Sequence, residues 1–112
     1  MHEHGLADHI LARVLAHPNR PAGARPVAVT LVASELSGLT VESLQEALDH
    51  VCEHEGLPAI RVDLEYAPFL GECSECGVVA ETDETLACAD CGAAGVRLCT
   101  GDAVIIRTCQ YA

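Results

Sequence analysis

The apolar residues of the chain change their spacing several times, and each change marks an element. Leu6, Ala7, Ile10, Leu11, Val14 and Leu15 recur at intervals of three and four, which predicts a first helix. Asp8 lies near its start, where the helix dipole favours negative charge. Pro18, Pro21 and Pro26 stop this helix and turn the following stretch into a loop. From Val27 to Ala33 the period becomes two, with Val27, Val29 and Leu31 on one side and Ala28, Thr30 and Val32 on the other. Both sides are fairly apolar, as expected for a strand covered on at least one face by helices. Ser37-Gly38 breaks the chain. Thr40 can then cap a second helix that has Glu42 in its first turn and Leu44, Ala47, Leu48 and Val51 as its buried stripe. Gly56-Leu57-Pro58 ends that helix.

Ile60 to Tyr66 alternates most clearly, with Ile60, Val62, Leu64 and Tyr66 expected inward and Arg61, Asp63 and Glu65 in water. Pro68 and Gly71 mark the boundary to a cysteine-rich insert, after which Ala103 to Thr108 reads as a third strand centred on Val104, Ile105 and Ile106. The insert is too small to offer this strand a sheet, so the strand is expected to return and pair with the first two.

Composition narrows the classes. A chain of 112 residues suits one domain, or one domain with a metal-stapled insert, and 3% aromatic content makes the core aliphatic. No apolar run approaches the roughly 18 residues of a membrane span. The first residues are acidic and histidine-bearing where a secretory signal would be basic and then apolar, so a soluble, cytoplasmic protein without a membrane partner is expected. The formal charge is −11, with arginine as the only strong base and no lysine. That balance repels nucleic-acid phosphates and excludes a P-loop, which needs a lysine. Any nucleotide in the pathway would sit on a partner.

Four of the seven cysteines form two matched pairs, Cys73-Ser74-Glu75-Cys76-Gly77 and Cys88-Ala89-Asp90-Cys91-Gly92, leaving Cys52, Cys99 and Cys109. Two residues between cysteines let one tight turn present both thiolates to one ion, and the glycine that follows suits a left-handed backbone. Two such pairs complete a closed tetrahedral site, the arrangement of structural zinc. The odd count and the expected compartment disfavour disulfides. Two matched pairs disfavour a redox dithiol, whereas iron shares the same donor chemistry and stays open beside zinc. A zinc closed by four cysteines has no position for water, and no nucleophile has a partnered base at a recognisable spacing, so an enzyme is not expected.

Met1-His2-Glu3-His4 is a second metal-binding pattern. An α-amine, a deprotonated backbone amide and the His2 imidazole can form fused chelate rings, and such nitrogen-rich surroundings suit Ni(II) or Cu(II). Taken alone, this is a weak signal, and an exposed polar helix start is the simpler reading. His50 and His54 stand i,i+4 on the second helix, a spacing that can hold a metal, but no Glu follows His50 to make a protease motif. A solvated helix face is the simpler reading.

Taken in order, Met1-His2-Glu3 opening a helix, the strand ending in Glu35-Leu36-Ser37-Gly38, Glu42-Ser43-Leu44, the strand Ile60 to Tyr66 and the two cysteine pairs resemble the HypA family of nickel metallochaperones over essentially the whole chain. The resemblance implies an α+β fold with two helices on a small three-stranded sheet. It implies a nickel-binding domain of residues 1–69 plus 99–112, and an inserted four-cysteine, zinc-ribbon-like domain of residues 70–98 before the last strand. It further implies transferable Ni(II) at Met1, His2 and Glu3 and structural Zn(II) at Cys73, Cys76, Cys88 and Cys91. The implied partners are a HypB-type GTPase and the [NiFe]-hydrogenase large subunit. Short linkers to the insert would permit exchange between copies, hence self-association. A zinc-ribbon adaptor with no transferable metal is the competing reading. Some relatives carry histidines beside the zinc cysteines; here Gly77 and Gly92 follow the pairs instead. An imidazole binds metal only when neutral, so nickel affinity is expected to fall as pH drops through about 6.5. Nickel titrations at about pH 7.5 and about pH 5.5 check this, and equal affinities would remove His2 from the ligand set.

Overall fold

A computed structural model describes residues 3–73, 79–82, 96–98 and 104–112. The elements are α1 (Glu3–Leu15), β1 (Pro26–Ser34), α2 (Val41–His54), β2 (Arg61–Ala67), β3 (Phe69–Cys73), β4 (Val79–Thr82), β5 (Val96–Leu98) and β6 (Val104–Tyr111). They form two three-stranded sheets, ordered β2-β1-β6 and β4-β3-β5. The α+β class, with two helices and a three-stranded sheet, is as expected from the sequence.

β1 is the middle strand and its burial explains its composition. β2 lies parallel to it, from Ala28 opposite Arg61 to Ser34 opposite Ala67. A parallel partner needs a crossover, which α2 supplies. β6 lies antiparallel on the other side, from Pro26 opposite Tyr111 to Ala33 opposite Val104, so the last strand does return to the first sheet. Val29, Leu31 and Ala33 of β1 join Val62 of β2 and the stripes of both helices in one aliphatic core, with Leu64, Val104, Ile106 and Cys109 packed against it. The opposite face is polar along most of its length, where Arg107 Nε reaches over β1 to Glu65 Oε1 at 2.9 Å. At its far end Val32, Ala67 and Leu70, with Ile105, form a smaller cluster that joins the start of β3 to this sheet.

The helix ends follow local chemistry. Thr40 is extended and its Oγ1 accepts the Ser43 amide at 3.1 Å, the expected N-cap of α2. At the other end Gly56 adopts φ 71°, its amide donates to the Glu53 carbonyl, and the Leu57 amide donates to the Cys52 carbonyl at 2.8 Å. This is the paired capping pattern that a glycine permits. Gln45, one turn into α2, caps the edge strand: its Nε2 donates to the Ile60 carbonyl at 2.8 Å and its Oε1 accepts the Val62 amide at 2.8 Å. A side-chain amide thereby occupies backbone groups that a second strand would otherwise seek.

One expectation needs correction. Tyr66 was expected inward, and its parity does place it on the helical face, yet it is 49% exposed. It ends an edge strand, and a phenol needs a partner for its hydroxyl. The Leu39 carbonyl, in the loop before α2, accepts that hydroxyl at 2.5 Å and holds the ring at the rim.

The last turn of α1 is tied to distant parts of the chain. The Tyr111 hydroxyl donates to the Val14 carbonyl at 2.7 Å, and Arg20 Nη1 donates to the Leu15 carbonyl at 2.9 Å. The Leu15 carbonyl lacks a partner within the helix, so the Arg20 bond satisfies it, while Tyr111 adds a second donor to the Val14 carbonyl, which also accepts the His17 amide at 3.4 Å. The Tyr111 phenol is pushed up to about 12, first by burial and then by its hydrogen bond with Cys109 and that thiol's charge, with Arg20 pulling the other way. Because the folded value exceeds the ordinary value of 10.0, the stabilisation is fully present below that value and is lost as pH rises toward about 12. Tyr111→Phe is expected to cost about 1 kcal/mol at neutral pH. In denaturant melts the wild-type advantage should shrink steadily above about pH 10, and an advantage independent of pH would contradict the buried-phenol reading.

Candidate metal-binding ends

Of the residues expected to hold nickel, Glu3 is the first residue of α1, while Met1 and His2 lie outside the described residues. The helix behind them is firmly seated, since Leu6, Ala7, Ile10, Leu11 and Val14 are all buried in the main core. Its place follows from its far end. Val14 and Leu15 sit beside Tyr111 and Arg20, and Tyr111 pairs with Pro26, the first residue of β1. The last turn of α1 therefore lies at the end of the sheet where β1 begins and β6 finishes. Thirteen residues give a helix of about 20 Å, comparable with the strands it covers.

The cysteine-rich segment leaves from the other end of the sheet, where β1 and β2 finish. β2 stops at Ala67, opposite Ser34, and β3 begins at Phe69. β3 leads into the first cysteine pair and ends on Cys73, which is 2% exposed. β5 leaves the second pair and lies antiparallel to β3, with Val96 opposite Cys73 and Leu98 opposite Gly71. β4 lies on the other side, with Val79 opposite Glu72 and Thr82 opposite Phe69. The backbone that enters one pair is thus hydrogen-bonded to the backbone that leaves the other. Cys76, Cys88 and Cys91 lie outside the described residues, as do Gly77, Gly92 and Cys99.

The remaining thiols and histidines fall elsewhere. Cys52 is buried in the main core. Burial raises its pKa, the neighbouring Asp49 carboxylate raises it further, and a hydrogen bond with the Ile60 backbone acts the other way. A thiol so placed is mostly protonated near neutrality and behaves as a small apolar residue. Cys109 packs half-buried against the same core. His50 lines an open groove on α2 with Glu42, Gln45, Glu46, Asp49 and Glu53, and His54 is exposed beside Glu55. Among the described residues, no group of three or more histidine, cysteine, aspartate or glutamate side chains is placed to hold a metal ion, and no helix is long and apolar enough to cross a membrane.

Sequence reasoning missed two features. Gln45 was not singled out, although its amide bonds the Ile60 carbonyl and the Val62 amide, 15 and 17 residues away. Leu36 was noted only within Glu35-Leu36-Ser37-Gly38, and it stands 80% exposed. A leucine directly before a Ser-Gly turn signal, off the period of either neighbouring element, could have flagged it.

Comparison with known proteins joins these ends to one family. A hydrogenase maturation factor HypA of Nostoc punctiforme is 27% identical over 107 residues, spanning 96% of this chain and 92% of that protein. One of Azoarcus sp. is 32% identical over 93 residues, spanning 82% of each. The solution structure of the Ni metallochaperone HypA from Helicobacter pylori shares the fold, with a TM-score of 0.61 at 16% identity, covering 99% of this chain and 97% of that one. A second solution structure of a HypA protein aligns over 100% of this chain and 97% of its own, with a TM-score of 0.52. Residues 1–111 match the family described as "Hydrogenase/urease nickel incorporation, metallochaperone, hypA", and the chain belongs to that family.

Proposed function

We propose that this protein carries Ni(II) at its N-terminus and delivers it to the large subunit of a [NiFe]-hydrogenase during maturation, while a structural Zn(II) shapes residues 70–98. The observation that carries the reading is that the family match starts at residue 1 and so takes in Met1-His2-Glu3. In this reading the Met1 amine, N-terminal backbone nitrogens and the neutral His2 imidazole hold the cargo, with Glu3 beside them at the start of α1. A site on the first residues of a chain opens easily to a competing set of ligands, which suits transfer better than storage. The buried stripe of α1 keeps the remainder of the helix in place while its first residues exchange partners.

Four thiolates from Cys73, Cys76, Cys88 and Cys91 fit zinc by donor chemistry. Support from the fold is the pairing of β3 with β5, which closes the loop carrying both cysteine pairs. Zinc held there supplies a closed cross-link and no chemistry at an open position. Residues 1–69 with 99–112 form the nickel-binding unit and residues 70–98 the zinc-binding unit. Any nucleotide hydrolysis belongs to a HypB-type GTPase partner, since this chain has no lysine for a P-loop. The acidic balance suits cytoplasmic work without nucleic acid.

Metal analysis of the untagged protein, incubated with excess Ni(II) and desalted, tests the two-site reading. Wild type should retain about one zinc and about one nickel, and His2→Ala about one zinc and little nickel. Equal nickel in both proteins would favour an adaptor that bridges partners through its zinc unit and carries no cargo.

A further inference from the structure

We infer that the corner formed by Leu36, Val41 and Tyr66 is the docking surface for a protein partner that presents an apolar socket rimmed with lysine or arginine. The inference rests on the delivery reading above and adds where the partner binds. Leu36, Val41 and Tyr66 are 80%, 37% and 49% exposed, and they are the large apolar side chains exposed among the described residues. Single exposed apolar residues scattered over a surface carry no message, but these three gather at one place. Leu36 and Val41 bracket the short loop from β1 to α2, and the Tyr66 hydroxyl is bonded to Leu39 in the middle of that loop.

The exposure of Leu36 is built in rather than a consequence of a loose loop. The Glu35 amide donates to the Ala67 carbonyl at 2.9 Å, and the Leu36 amide donates to Ser34 Oγ at 3.1 Å. The Ser37 amide donates to the Ser34 carbonyl at 3.0 Å, and the Leu39 amide donates to Ser37 Oγ at 3.2 Å. Gly38 takes φ 75°, a turn that an L side chain rarely adopts. Leu39 itself is buried beneath. A loop so bonded presents Leu36 in one place before any partner arrives, which lowers the ordering cost of association.

Charge identifies the occupant. Glu35 precedes Leu36 and Glu42 follows Val41, in a chain of formal charge −11. A second copy would bring these carboxylates against their equivalents, so the occupant is a different protein with basic residues around an apolar socket. The corner lies at the end of the sheet where β1 and β2 finish and β3 begins, the end from which the cysteine-rich segment leaves.

The test uses full-length, untagged protein and a purified HypB-type GTPase from the same organism as the probe, with binding measured by calorimetry at low and high salt. Leu36→Asp is expected to weaken binding by about 30-fold and Leu36→Ala by about tenfold, as for an anchor at the centre of an interface. Nickel content and thermal midpoint should match wild type in both. Wild-type affinity should fall with salt, and Glu35→Gln with Glu42→Gln should flatten that fall. Wild-type affinity in Leu36→Asp would overturn the inference while leaving nickel delivery standing. Self-association of wild type that Leu36→Asp abolishes would overturn it in favour of a second copy. No binding of the GTPase or of the hydrogenase large subunit by wild type would instead sink the delivery reading, and the inference with it.

Discussion

The bond from the Tyr111 hydroxyl to the Val14 carbonyl joins residues 97 positions apart, and the layout of the molecule depends on it. Tyr111 is fixed by its place on β6, beside Pro26 at the start of β1. Holding the last turn of α1 there fixes that end of the helix at the start of β1. Arg20 reinforces the arrangement by donating to the Leu15 and Ala24 carbonyls together. The opposite end of the sheet is where β2 gives way to β3 and the cysteine-rich segment begins.

A family of metal carriers benefits from such an arrangement. Cargo ligands at a chain terminus can exchange with a client only if the rest of the helix stays seated, and the aliphatic stripe from Leu6 to Val14 provides the seat. A closed four-thiolate site has the opposite character, stable and without an open position. In the proposed reading one small chain carries both the part that must let go and the part that must hold. The Leu36 corner would add a surface on which a partner can settle.

Much of the fold was legible because its determinants are local. The doubly apolar run of β1, the Thr40 cap and the Gly56 stop of α2 each act within a few residues, and each is found where its chemistry indicates. Tyr66 and Gln45 were misread or missed for the opposite reason. The position of the tyrosine depends on the Leu39 carbonyl, and the role of the glutamine depends on a strand that comes after it in the chain. The sheet of β3, β4 and β5 was not foreseen, because strands of five, four and three residues are too short to show a period. The metal-binding motifs were plain as patterns, since a Cys-x-x-Cys turn is itself a local device.

The most direct measurement is a transfer experiment. Protein loaded with one equivalent of Ni(II) is mixed with nickel-free hydrogenase large subunit in excess small-molecule chelator, and nickel on the large subunit is read after separation. Delivery predicts that nickel reaches the large subunit from this protein and not from an equal amount of free Ni(II) under the same chelator. Complete capture by the chelator in both cases would contradict it.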